Sequence, residues 1–174
     1  MSEYLDQLSR QDLLFNTAQL LGHGAVHLAE LNDMSRRPRP PEIERIADTT
    51  ARELNSGVFG LSLGLMYPPG MFYAGDDLKR LAETAADHDS VLTVHMRAFS
   101  RYSTSYPNIP FLGKPHNLRA LEEILDIGLK TGVKLQISHF LFVGRSTWKT
   151  LDKAVRMIES ARRSGLSVMW DVYP

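Results

Sequence analysis

Two histidines, His95 and His139, each close a short apolar run: Val91-Leu92-Thr93-Val94-His95 and Lys134-Leu135-Gln136-Ile137-Ser138-His139. Both runs read as buried parallel strands, and a helical pattern lies between them. The order strand–His, helix, strand–His places both imidazoles at the carboxyl edge of neighbouring parallel strands, the edge where α/β barrels carry out their chemistry. Imidazole is the commonest metal ligand among side chains, so the pair points to metal-centred chemistry. Two imidazoles are short of a full set, because catalytic zinc takes three protein ligands beside its water.

Other residues carry open readings. His23, between Gly22 and Gly24, reads as a turn histidine or as one that supports a metal ligand through a hydrogen bond. Tyr67, ahead of Pro68 and Pro69, offers a hydroxyl to a ligand carboxylate or simply packs its loop. Asp171 stands at a strand end as an acid/base candidate with no visible partner, and Arg97 either pairs with a carboxylate or orients a neighbour. Trp148 lies on an apolar stripe and is expected in the core, and Arg36–Arg39 is expected to be a solvated loop.

The elements that must position these residues alternate. Strands are expected at Phe15–Leu21, Val58–Leu63, up to His95, up to His139, and at Leu166–Val172. Gly22-His23-Gly24 reads as a turn. Pro41 suits the first turn of a helix carrying Ile43, Ile46, Ala47, Ala51 and Leu54 and ended by Gly57. Asp76 or Asp77 caps a helix with Leu78, Leu81, Ala82 and Ala85; His116 or Asn117 caps one with Leu118, Leu121, Ile124 and Leu125. Trp148, Leu151, Val155, Ile158 and Ala161 mark a last helix, and Arg97–His116 is a long polar and aromatic loop, of a length that is usually functional or disordered. Such β(αβ)n alternation gives an α/β fold with about five parallel strands, and a doubly wound sheet and a barrel both fit.

Bulk properties narrow the classes. The 174 residues suffice for one domain with a real core. Twenty Lys+Arg against twenty Asp+Glu leave no net charge, which argues against nucleic acid or an anionic membrane as partner. There is no cysteine, hence no disulfide framework and no thiolate site. Ser2–Asp12 is polar and does not read as a signal peptide, and no apolar run has membrane-spanning length, so a cytoplasmic protein is expected. Neither a Gly-x-Gly-x-x-Gly loop nor a P-loop is present.

Gly22-His23-Gly24, the stretch Gly60–Gly70 with its Gly-Leu-x-Tyr-Pro-Pro-Gly end, Val94-His95-Met96-Arg97, Ile137-Ser138-His139 and Asp171-Val172-Tyr173-Pro174 occur in one order. Over essentially its whole length the chain resembles the D-aminoacylase (N-acyl-D-amino-acid deacylase) branch of the amidohydrolase superfamily. The resemblance implies a zinc-dependent TIM-type (β/α)8 barrel, of which residues 1–174 form a single partial domain with the third to seventh strands. By motif, His95 is the fifth-strand metal ligand and His139 the sixth; Tyr67, Arg97 and Tyr173 fall on the substrate side. The family's His-x-His pair, its cysteine ligand and its eighth-strand catalytic aspartate have no counterpart, so no catalytic residue is expected here and the chain alone is expected to be inactive. Leu141 stands where the family often has lysine, and Ala98 and Phe99 stand where it often has an acid.

The function implied is hydrolysis of a non-peptide amide, with an N-acyl-D-amino acid or similar small molecule as substrate. The alternatives are a non-catalytic half-barrel or assembly module, and an amidohydrolase acting on a different, cyclic amide. Open sheet edges and inward apolar side chains, taken as Val58, Leu92, Leu135 and Ile137 or their alternates, imply a homodimer or oligomer.

Overall fold

The computed structural model describes residues 1–106 and 113–173. The part of the expected Arg97–His116 loop between 107 and 112, and Pro174 of the last motif, lie outside them. In chain order the elements are α1 (Ser2–Ser9), β1 (Leu20–Gly22), α2 (His23–Leu31), α3 (Pro40–Asn55), β2 (Gly60–Gly64), a 3₁₀ turn (Gly70–Phe72), α4 (Gly75–Asp87), β3 (Val91–His95), α5 (His116–Thr131), β4 (Lys134–Ile137), α6 (Arg145–Trp148), α7 (Leu151–Arg163) and β5 (Val168–Trp170). The five strands form one sheet, all parallel, in the order β1-β2-β3-β4-β5.

That order decides between the two expected architectures. A doubly wound sheet reverses its strand order at a switch point. Here every strand pairs with the next in sequence, so each right-handed crossover lays its helix on the same face. The result is a partial TIM-type barrel wall.

Register shows which side chains look where. Leu21, Leu61, Leu92, Leu135 and Val168 lie in one row across the sheet, and all five are buried. They face the helices: Leu63, Leu65, Leu92 and Val94 line a small apolar cavity with Leu78 of α4 and with Ile124 and Ile127 of α5. The alternate row, Gly22, Ser62, Thr93, Gln136 and Met169, points to the opposite, open face. Of the two alternatives for the inward side, the alternates of Leu92, Leu135 and Ile137 hold it, and those three face the helices. Helices cover the branched residues, and a largely polar row lines the concave face.

Local signals explain the helix ends. Two prolines open α3, and the Glu42 carboxylate accepts from the Arg39 N–H at 2.7 Å. Asp77, at the third position of α4, reaches back to the Ala74 N–H at 2.8 Å. Gly132 and Gly165 end α5 and α7 with φ +71° and +96°, values a side chain would resist.

Several expectations change. The first strand shrinks to Leu20–Gly22; Leu14 is fully exposed and Phe15 is 71% exposed, because no helix covers them. Gly22-His23-Gly24 is not a turn: His23 opens α2, a helix the glycines concealed. Neither His116 nor Asn117 caps α5 through its side chain; both lie within it, and the Asn117 amide donates to Thr150 Oγ1 at 2.8 Å. Trp148 is 62% exposed rather than core, since the helix breaks between α6 and α7 and turns it outward.

Candidate metal centre at the carboxyl edge of the sheet

β3 ends on His95, and His139 sits two residues past the end of β4. Pairing of Leu92 with Leu135 and of Val94 with Ile137 brings the two strand ends level. His95 Nδ1 lies 2.5 Å from His139 Nε2. Burial, and then the neighbouring His139, hold His95 below the ordinary imidazole pKa. His95 Nε2 is buried without a hydrogen-bond partner.

The aromatic surround is close. Phe99 meets His95 edge-on with centroids 5.0 Å apart, Tyr67 lies 5.3 Å from His95, and Tyr173 stacks on His139 at 5.8 Å with 11° between the planes. Four of the five site residues expected from the sequence, His95, His139, Tyr67 and Tyr173, therefore share one place. Gly64 makes room for one of them, since a Cβ there would fall on the Tyr67 ring.

Arg97 is placed differently. It is buried, and its guanidinium is held by protein groups: Nε and Nη2 donate to Glu123 at 3.0 Å, Nη1 to Met71 O and Nη2 to Tyr73 O, both at 3.0 Å. Glu123 also accepts from the Tyr106 hydroxyl at 2.9 Å. Arg97 thus ties β3 to the loop that carries Tyr67 and to α5, and pairs with a carboxylate of the chain itself.

Beneath that loop lie two further histidines. His23 Nδ1 donates to Ser62 O at 3.2 Å, while its Nε2 is buried with no partner. A proton on Nε2 would find no acceptor there, and burial lowers the His23 pKa to about 4. His27, fully buried, accepts from the Tyr73 hydroxyl at 2.9 Å and donates to Asp33 O at 2.7 Å. Both imidazoles belong to α2, and their hydrogen bonds run to Ser62, Tyr73 and Asp33 rather than to the His95–His139 pair. Sequence reasoning also left Asp171 without a partner; its Oδ1 accepts from the His139 N–H at 2.7 Å and its Oδ2 from Gln136 Nε2 at 2.8 Å. Phe99 was noted only as a departure from an acidic residue, yet it forms the wall of the pair.

Metal fit can be judged on these two rings. A tetrahedral zinc with bonds of about 2.0–2.1 Å sets two nitrogen ligands about 3.3 Å apart. The rings need part by less than an ångström to accept it, their facing nitrogens being 2.5 Å apart. Among the described residues no group of three or more His, Cys, Asp or Glu converges, so the fit is to two ligands of a set.

No protein-family model matches the chain. It is 28% identical over 174 residues to N-acyl-D-glutamate deacylase of Alcaligenes xylosoxydans xylosoxydans, covering all of this chain and 33% of that protein. It is 26% identical over 173 residues to D-aminoacylase of the same organism, again over 33% of that protein. The chain thus spans about a third of the length of the curated relatives it matches. In three dimensions it superposes on N-acyl-D-glutamate deacylase from Bordetella bronchiseptica, a crystal structure complexed with zinc and a phosphonate mimic of the tetrahedral intermediate. The TM-score is 0.86 at 29% identity, over 99% of this chain and 34% of that one. A D-aminoacylase crystal structure gives a TM-score of 0.85 at 26% identity, over 99% and 33%. In sequence and fold alike, the chain is similar to N-acyl-D-glutamate deacylase and D-aminoacylase, over about a third of those proteins' length.

Proposed function

We propose that this chain carries one side of a zinc-dependent amidohydrolase centre of the N-acyl-D-amino-acid deacylase type. The observation that carries the reading is the convergence of His95 Nδ1 and His139 Nε2 at the carboxyl edge of the sheet. Zinc bound there would supply Lewis-acid polarisation of an amide carbonyl and a lowered pKa for water. The chain's own residues orient and enclose. Phe99 shields the imidazole pair from solvent, and Tyr67 and Tyr173 flank the space in front of it, where a small acyl-amino acid would lie. Arg97, from the same His-x-Arg segment, acts on the substrate side by holding the Tyr67 loop.

Calorimetric titration with zinc tests this. The chain is expected to bind zinc far more weakly than a closed four-ligand structural site, and His139→Ala is expected to remove that binding. Equal binding by the parent and by His139→Ala would take His139 out of the centre.

Self-association belongs to the same proposal. Among the described residues β1 and β5 each have one unpaired edge, and the concave row of Ser62, Thr93 and Gln136 lies beside them. Unpaired N–H and C=O groups are a template for strand pairing between copies. Light scattering over a dilution series is expected to show a dimer or larger species at micromolar concentration; a persistent monomer would refute it. Among the described residues no helix is long and apolar enough to cross a membrane.

A further inference from the structure

We propose that Asp171 positions His139, by supplying the hydrogen-bond acceptor that an extra residue in the β4–β5 pairing takes away. The proposal rests on the metal-centre reading, which is what gives the His139 ring a task. The ladder begins regularly: the Leu135 N–H donates to Ser167 O at 2.9 Å, and the Asp171 N–H to Ile137 O at 3.1 Å. In an evenly spaced parallel ladder the next bond would run from the His139 N–H to Asp171 O. Phe140 makes it instead, at 2.7 Å. His139 is therefore one residue too many, a bulge that re-aims its side chain.

The bulged residue pays in two ways. Its φ is +38°, in the left-handed region that histidine visits more readily than most residues but that still costs free energy. Its N–H has also lost its place in the ladder. Asp171 Oδ1 takes that N–H at 2.7 Å, while Gln136 Nε2 fixes the other oxygen at 2.8 Å. Main chain and side chain of Asp171 together hold residues 137, 139 and 140, so the turn has one shape and the His139 ring faces His95. Asp171 is a positioning residue, with both carboxylate oxygens engaged by the protein.

The test uses the whole 15N-labelled chain, first without metal. Asp171→Asn keeps an acceptor for the His139 N–H; Asp171→Ala removes it. Hydrogen exchange of the His139 amide is expected to speed up about tenfold in the Ala variant and to stay within about threefold of the parent in the Asn variant, with the Leu135 amide unmoved in both. Gln136→Leu, which frees one carboxylate oxygen, is expected to loosen the same amide part-way. Zinc affinity is the second readout, expected to fall about 10- to 100-fold in Asp171→Ala and to recover in Asp171→Asn. A His139 amide as protected in Asp171→Ala as in the parent overturns the proposal. Loss of protection in Asp171→Asn overturns it as well, and that variant retains the packing should the Ala variant unfold. Absence of zinc binding by the parent overturns the metal-centre reading alone, because the exchange measurement does not involve metal.

Discussion

Replacing Arg97 by Met is expected to cost the fold about 3–5 kcal/mol, the range for breaking a buried ion pair from one side. Arg97 is 5% exposed, and its guanidinium makes hydrogen bonds to Glu123, Met71 O and Tyr73 O. Removing it leaves two main-chain carbonyls without their donor and takes the counter-ion from a carboxylate whose side chain is 22% exposed. The Tyr106 hydroxyl stays on Glu123 but carries no charge. Arg97→Lys is expected to rescue little, since an ammonium cannot reproduce the planar fork that serves three acceptors at once. Chemical denaturation measures this directly. A loss under about 1 kcal/mol, the worth of an exposed pair, would mean that the network is solvated and Arg97 is free for other partners.

Supplied with zinc, the 174-residue chain is expected to release no detectable acetate from N-acetyl-D-glutamate or from other N-acetyl-D-amino acids. Catalytic zinc takes three protein ligands and a water, whereas two imidazoles converge here. The sequence has no cysteine and no His-x-His pair to add to them. Asp171, the carboxylate bonded to His139, accepts from the His139 N–H and from Gln136 with its two oxygens and so is engaged by the protein. A positioned base is worth about 10²–10⁴ in rate, and the missing ligands multiply that loss. The assay is acetate release with and without added zinc. Turnover that vanishes in His95→Ala would overturn the expectation and make this chain an enzyme in its own right.

Much of the wall that bears these groups was legible without coordinates. In the apolar runs before His95 and His139, Leu92, Val94, Leu135 and Ile137 fall in the helix-covered row and alternate with Val91, Thr93, Lys134 and Gln136 in the open one, and that period of two is local information. The helices α3, α4, α5 and α7 follow from apolar spacing, helped by the prolines that open α3 and the glycines that follow α3, α5 and α7. The carboxyl-edge placement of both imidazoles follows from alternation alone, because a right-handed crossover leaves successive parallel strands pointing the same way.

What the chain order could not convey is what depends on partners distant in sequence. Which row of a strand faces the helices is decided by the helices, so Leu92 and Leu135 turned outward to α4 and α5 while Thr93 and Gln136 line the concave face. His23 opens a helix because its ring is buried beneath the Tyr67 loop, a contact that outweighs the turn tendency of its two glycines. Trp148 is exposed because the helix breaks beside it. Arg97 and Asp171 had no identifiable partners in sequence, since Glu123 stands 26 residues from one and His139 stands 32 from the other. The sequence by itself determined that five parallel strands alternate with helices and on which edge His95 and His139 stand, through local periodicity and chain handedness; the order of the strands in the sheet came with the structure. Only the tertiary structure decided that the two rings meet, that Arg97 is held by Glu123 and that Asp171 holds the His139 bulge, because burial and hydrogen bonding between distant residues exist only once the sheet has formed.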